Sequence, residues 1–430
     1  MGQDDKILAH DLHKTYGDFV RTGPTEITVF DPQVFTVTDG PGNNCKKAVW
    51  YDFLLPEVVV NTTRDKKLHD QRRRIWDKGF TPKEMEEYQD RIAQHAQRLE
   101  SIIATAASNG EVVNATECFS WFSFDVMGEF AFARSFRMLE DKEWHHAVIL
   151  LRRAMRLLGP LSPVPWLAQI GFHLIPNYWV VKDWYDMMRW YKKRMTERLE
   201  MAPENADISH HLISASMARG TIGQDRPWLN GDSIAIIIAG SDTVAPTMVF
   251  LFYELALNPE QADKIYNEVC TYDIANHNKL KNLNHLNGCI NETLRLHPPV
   301  PSGGYRETPP EGVYINEKYI PGNTTLIAPR YTIGRLETCF EKAEEFIPER
   351  WYSRLEMVKS KKAFSPFSQG RYSCVGKNLA MAELRYVTAI LVKKYTVRFA
   401  PGQSIEKVEA EMRDQFTAAP GDLKLLFTPR

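Results

Sequence analysis

The 430-residue chain is short of several things, and each shortage excludes a class of protein. Its six cysteines (Cys45, Cys118, Cys270, Cys289, Cys339 and Cys374) are scattered, with no Cys-x-x-Cys pair and no zinc-ligand spacing. A disulfide framework and a structural zinc site are therefore excluded, and the thiols read as reduced ones of the cytosolic kind. An excess of one charge is also missing: 53 Lys+Arg against 54 Asp+Glu leave a net charge of -1, which argues against nucleic acid as the main partner. There is no glycine-rich dinucleotide fingerprint, so the chain carries no nicotinamide- or flavin-binding fold of its own. The start, MGQDDK, lacks the apolar run of a signal peptide and the Ser or Thr at position 6 of a myristoylation signal. The longest apolar run, 234–257, is interrupted by Asp242 and Pro246, which favours a buried helix over a bilayer span. No repeat, low-complexity tract or linker divides the chain, so one domain over 1–430 is expected.

Apolar and aromatic residues are plentiful. Hydrophobic residues make up 43%, with 10 Trp, 17 Tyr and 21 Phe, enough for a large core and an aromatic pocket. The patterning predicts a mainly α protein with a small β region. An amphipathic helix is predicted within 8–22, ending at Gly17, and EITVF and VFTVT read as strands around the turn at Asp31-Pro32. Further helices are predicted over 63–76, from a Thr81 cap with Pro82 at the first position to about 107, over 114–132, 143–200, 234–257, 259–269 and 283–296. The proline-punctuated break at 158–179 reads equally as a buried connection or as a functional segment, the latter a lid over an apolar pocket or a surface dipping into a membrane. Residues 202–230 read as a polar loop in which His210 and His211, being adjacent, face different ways and lie at the surface.

Four groups of residues carry chemistry. In 363–383, Cys374 lies between Gly370 and Gly376, with Phe367 seven residues before it and a helix predicted from Lys377. A thiol in a glycine loop at the positive end of a helix is expected to favour the thiolate, which binds iron or acts as a nucleophile; an inert buried thiol is the plain alternative. In the long apolar helix, Ala239-Gly240-Ser241-Asp242-Thr243 combines small residues, an acid and an alcohol, and Pro246 removes the N–H owed to the Asp242 carbonyl. That is a candidate proton relay or a polar contact between helices. Glu292 and Arg295, three apart, share a helix face, and Arg350 in FIPERW can join them. His69 and Arg73, four apart in a basic helix, can meet two carboxylates or phosphates, while Arg72 and Arg74 read as a solvated basic face.

With these four motifs in this order, the chain resembles the cytochrome P450 family of haem-thiolate monooxygenases over nearly its whole length. The blocks SDTVAP, IAPRYTIGR and FIPERW are similar to fungal enzymes of secondary metabolism. The resemblance implies that Cys374 is the iron ligand, within the Phe367/Gly370/Gly376 pattern. It further implies that Ala239, Gly240, Asp242 and Thr243 form the oxygen-activating motif, and that Glu292, Arg295 and Arg350 form a triad bracing the thiolate loop. His69, Arg73 and Arg306 would hold the propionates of haem b. Three departures stand out. Tyr372, with Arg371 one earlier, occupies the place two before the cysteine where many members carry arginine; Leu336 follows Arg335 where aspartate is common; and the anchoring helix and proline-rich hinge of eukaryotic members are expected ahead of this chain's first residue, as in a truncated or soluble form.

The implied activity is insertion of one oxygen atom of dioxygen into a C–H bond of a hydrophobic metabolite. Electrons would come from NADPH through a cytochrome P450 reductase docking on the cysteine side, near Lys377 and the Arg72/Arg74 face. A membrane surface is a further expected partner and nucleic acid is not. The implied location is the endoplasmic reticulum membrane, with a soluble cytoplasmic form as the alternative. Candidate pocket residues are Ile238, 300–303 and 416–418, with 158–179 as a lid. The competing readings are a non-oxygenating haem-thiolate isomerase or dehydratase, a catalytically inactive haem-binding protein, and a hydrolase using Cys374 with His297.

Overall fold

The computed structural model describes residues 5–54, 58–156, 170, 174, 179–201, 206–272, 274 and 277–430. The longer helices in chain order are α1 (Asp5–Tyr16), α2 (Gln33–Asp39), α3 (Lys66–Trp76), α4 (Pro82–Asn109), α5 (Ala115–Phe132), α6 (His146–Met155), α7 (Trp179–Glu200), α8 (Ile208–Ala218), α9 (Arg226–Leu257), α10 (Pro259–Val269), α11 (Asn284–Leu296) and α12 (Lys377–Lys394). The strands are β1 (Phe19–Gly23), β2 (Glu26–Val29), β3 (Lys46–Lys47), β4 (Val113–Asn114), β5 (Arg306–Glu307), β6 (Val313–Ile315), β7 (Lys318–Ile320), β8 (Thr325–Ile327), β9 (Tyr395–Phe399), β10 (Arg413–Gln415), β11 (Thr417–Ala419) and β12 (Lys424–Pro429). A five-stranded sheet in the order β1-β2-β8-β5-β3 stands to one side; a β4-β12-β9 sheet and the β6-β7 and β10-β11 hairpins complete the β region. The architecture is the mainly α one that the patterning predicts.

Helix α9 is the axis of the molecule. It packs along α5 and touches α7, α8, α11 and α12. Among the described residues it alone is long and apolar enough to cross a membrane, but 72% of its most apolar window is buried inside the protein. The small residues in it are explained by packing: a Cβ on Gly240 would lie 1.9 Å from the Met127 sulfur of α5. The space at Gly240 is thus filled by a neighbouring helix. Ser123 and Ser241 bind the two helices further, the Ser241 hydroxyl donating to the Ser123 carbonyl at 3.2 Å. The helix runs unbroken through Pro246.

Several expectations change. VFTVT is not a strand but most of α2: the Asp31 carboxylate accepts the Gln33 N–H at 2.8 Å, and Val34, Phe35, Thr38 and Asp39 bury one face. Side-chain burial on a helical period overrides the β preference of its branched residues. Much of the 202–230 loop is helical. Asp207, held by Arg198 at 2.9 Å, caps α8 by accepting the His210 N–H at 2.6 Å, a capping signal outweighed in the sequence by polar composition. Arg72 is not on a solvated face; it is buried and paired with the buried Asp232, fastening α3 to α9. The 158–179 lid lies outside the described residues except for Ile170 and Leu174, which are exposed, and Trp179, the first residue of α7. The Thr81 cap and the helix ending before Gly17 are as predicted, while the Thr81-capped helix runs two residues past 107 to Asn109, with Gly110 as its left-handed cap.

Candidate active site

Cys374 sits two residues before Gly376, which precedes α12, and its N–H donates to the Phe367 carbonyl at 2.8 Å. That bond closes the loop from Phe367 to Cys374. Gly370, at φ +58, is required twice over: few side chains adopt that backbone, and a Cβ there would lie 2.1 Å from the Asp39 carbonyl. Its place is fixed by this approach of the loop to α2. Gly376 is different, since a Cβ there would meet little beyond Phe80 and the Cys374 sulfur at 3.9 and 4.0 Å. Its absence of side chain leaves the sulfur's flank open.

The thiol is exposed, but to an internal cavity of about 270 Å³. Surrounding protein pushes its pKa up, against the N–H of Gly376, the charge of Arg73, and the N–H and charge of Lys377. The helix end and glycine loop do not by themselves make a thiolate; burial outweighs them. A bound cation would, because a coordinating thiol is deprotonated outright. Among the described residues no group of three or more His, Cys, Asp or Glu is placed to hold a metal ion. A metal at Cys374 must bring its other ligands with it, which is the chemistry of a macrocycle.

The rest of the cavity fits such a group. Arg306 and Tyr372 line one end, near the buried His69 and Lys47. Ala239, Gly240 and Thr243 line the α9 wall, and Trp76, Met127 and Leu379 are apolar contributors. His69 is kept neutral, its pKa pushed down to about 4 by burial and then by Lys47. Arg73 donates to the Ser373 carbonyl at 2.6 Å and to Asp77 at 2.7 Å, so it fastens α3 to the cysteine loop. Arg306 donates to Asp39 at 2.6 Å and to the Tyr305 carbonyl at 3.2 Å; Asp39 also accepts from the Ser368 hydroxyl at 2.5 Å, tying sheet, α2 and loop together.

Behind the loop lies a buried ion network. Glu292 accepts two bonds from Arg295, at 2.7 and 2.9 Å, and one from Arg350 at 2.9 Å. Trp351 and the Ile347 N–H complete its shell at 2.8 and 2.9 Å. The arginines spend their other donors on the carbonyls of Gly334, Glu341, Lys342, Ala343 and Glu345. Trp351 meets Phe364 at 4.3 Å between ring centres, three residues before the cysteine loop, so the triad reaches that loop's approach through an aromatic contact. Where Leu336 replaces the usual aspartate, Arg335 is paired instead with Glu344 and Glu409 at 3.2 and 3.4 Å.

The acid and alcohol of α9 do not meet at one point. Thr243 lines the cysteine cavity and donates to the Ala239 carbonyl at 2.7 Å. Asp242, one residue along and so turned by about 100°, lines a second, polar cavity of about 850 Å³ with Arg152 and Asp422. Burial pushes its pKa up to about 6, opposed by Arg152. The helix is therefore a wall with an acid near its working pKa on one side and an alcohol on the other. The β10-β11 hairpin divides the same two spaces: Phe416 lines the first, Thr417 and Ala418 the second. Val300 lines the first cavity as predicted, with Gly304 in place of 301–303, and Ile238 does not line it.

Residues unseen in the sequence also face this cavity. Glu383 on α12 is buried, one carboxylate oxygen has no partner, and burial pushes its pKa well up. Tyr51 lines the cavity too, beside Phe416 of the predicted 416–418, and Trp50 stacks on Tyr305 and Phe416 at 5.0 and 4.7 Å. His297 is remote from nucleophile chemistry: it bonds Glu254 at 2.7 Å and stacks on Phe250 at 4.3 Å.

Comparison with known proteins agrees with this geometry. The family model described as Cytochrome P450 matches residues 6–427. A relative described as cytochrome P450 monooxygenase orf5, from Eupenicillium brefeldianum, is 37% identical over 98% of this chain and 85% of its own length. Tryprostatin B 6-hydroxylase of Neosartorya fischeri is 36% identical over 94% of this chain and 73% of its own. The crystal structure of a cytochrome P450DA haem domain superposes with a TM-score of 0.83 over 100% of this chain and 94% of that one, at 18% identity, and so bears on the fold. A thiol-floored cavity, a braced loop and a whole-chain family match converge: this chain belongs to the cytochrome P450 family.

Proposed function

We propose that the chain is a haem-thiolate monooxygenase that places one oxygen atom of dioxygen on a hydrophobic, ring-bearing metabolite. The observation that carries this is Cys374 in a cavity that Thr243 and the rings of Tyr51 and Phe416 also line. When bound, haem supplies the activation of dioxygen and the oxidation of the C–H bond. Cys374 would ligate its iron, with Phe367 and Leu379 lining the cavity beside it. Arg306 and the Lys47/Tyr372/His69 group would hold its carboxylates. Phe416, which lines the cavity, orients the substrate by ring contact, and a relative is named tryprostatin B 6-hydroxylase.

Proton supply crosses α9. Asp242 draws protons from the polar cavity, and Thr243 presents a hydroxyl to the dioxygen side. Intact acid and alcohol favour oxygenation over isomerisation. Electrons come from a separate redox partner, proposed here as an NADPH-dependent reductase, docking on the cysteine side where Lys377 and Arg74 are exposed; Arg72, held by Asp232, takes no part. A location at the endoplasmic reticulum membrane belongs to the same proposal and is supported by family resemblance. The test is isotopic. With a substrate found by spin-shift screening, product formed under oxygen-18 gas should gain one labelled atom, and none from labelled water. An unlabelled rearranged product would favour the isomerase reading.

A further inference from the structure

The place two residues before Cys374, where many family members carry arginine, holds Tyr372, and the neighbouring Arg371 does not substitute for it. The Arg371 guanidinium turns outward, donating to Asp70 at 2.6 Å and to the Lys66 carbonyl at 3.4 Å. The Tyr372 ring instead lines the cysteine cavity, and its hydroxyl is buried without a hydrogen-bond partner. A buried phenol left unpaired is costly, so a partner is expected from the cavity.

A second orphan sits on the same ring. Lys47 of β3 is 3% exposed, and its ammonium lies 5.0 Å from the Tyr372 ring centroid. It donates to the Val60 carbonyl at 2.7 Å, which leaves two of its three N–H groups. Among the described residues no carboxylate lies within ion-pair distance of it; Asp39, whose field it feels, is bonded to Arg306 and Ser368. Burial and then Arg306 push the Lys47 pKa well down, so the amine holds its charge there only when an anion joins it. Arg306 stacks on the same ring at 4.6 Å and His69 meets it edge-on at 5.1 Å.

We propose that Lys47 and Tyr372 together replace the missing arginine, the ammonium supplying charge and the phenol a directed hydrogen bond to one carboxylate of the haem. An arginine combines both properties in one fork; here they are divided between a strand and the cysteine loop. The inference rests on the haem-thiolate reading given above.

The test is haem retention. Holoprotein is mixed with a haem-scavenging apoprotein, and the rate of haem loss is followed by absorbance. Tyr372→Phe, which keeps the ring, should speed loss about 3- to 10-fold, and Lys47→Met about 10- to 100-fold. The double variant should fall short of the product of the two, because both groups hold one carboxylate. Tyr372→Arg should restore retention in the Lys47→Met background. Protein reconstituted with haem dimethyl ester, which has no carboxylate, should lose its cofactor at one rate whichever residue is changed. Equal acceleration for haem and ester would make the two residues merely structural and overturn the clamp, as would unchanged haem loss. The spectrum of the reduced, carbon-monoxide-bound wild type separately tests thiolate ligation, so failure of that reading is distinguishable.

Discussion

The two ends of the cysteine cavity are built on opposite principles. The floor is held by charge and hydrogen bonds: Glu292 with two arginines and Trp351, Asp39 with Arg306 and Ser368, Arg73 on the Ser373 carbonyl. The Phe416 side is built mainly of rings, Trp50 stacked on Tyr305 and Phe416, with Phe416 in a left-handed conformation at φ +71 on a hairpin tip. Directional bonds fix a single geometry, and an axial ligand needs one. Dispersion contacts tolerate repacking, and a substrate wall profits from that. The difference teaches where substitutions should disable the protein and where they should only change what it binds.

The largest effect is expected at the floor. Glu292→Ala leaves two buried guanidiniums without their carboxylate, a loss of about 3–5 kcal/mol. Thermal unfolding and haem content should both fall, and a variant as stable as the parent would break the comparison. Next is the wall between the ends. Asp242 holds its proton more tightly folded than unfolded, so its contribution to stability falls as the pH rises from 3.8 to about 6. Asp242→Asn should remove that slope and be the more stable protein above pH 6, while slowing turnover about 100-fold. Thr243→Ala should leave stability nearly unchanged yet divert electrons from product to peroxide or water; unchanged coupling would remove Thr243 from the relay. The smallest effect is expected at the far end. Phe416→Ala should weaken a ring-bearing substrate by about 3- to 10-fold in spin-shift titration, with haem content unchanged. Lost haem there would mean that the far end also supports the floor.

Legibility in the sequence follows the same division. The Phe367–Gly376 loop is legible because its constraints are local: a carbonyl seven residues back, a positive-φ glycine, a helix start. The triad was legible in its acid and arginines but not in Trp351, whose indole reaches Glu292 across 59 positions. Arg72 looked solvated because a helix face does not reveal that Asp232, 160 positions on, covers it. Lys47, Asp39, Arg152 and Glu383 gave no signal for the same reason: each matters through partners or cavities assembled by the fold. Asp242 and Thr243 are legible as a pair, and helix phase sends them to different cavities.

The central claim is that Cys374 ligates haem iron as a thiolate although its surroundings raise the free thiol's pKa. The most direct measurement is the absorption spectrum of the reduced, carbon-monoxide-bound protein. The account predicts the strongly red-shifted Soret band of thiolate ligation, absent from Cys374→Ala. A purified protein without haem, or a red-shifted band that survives in Cys374→Ala, would contradict it.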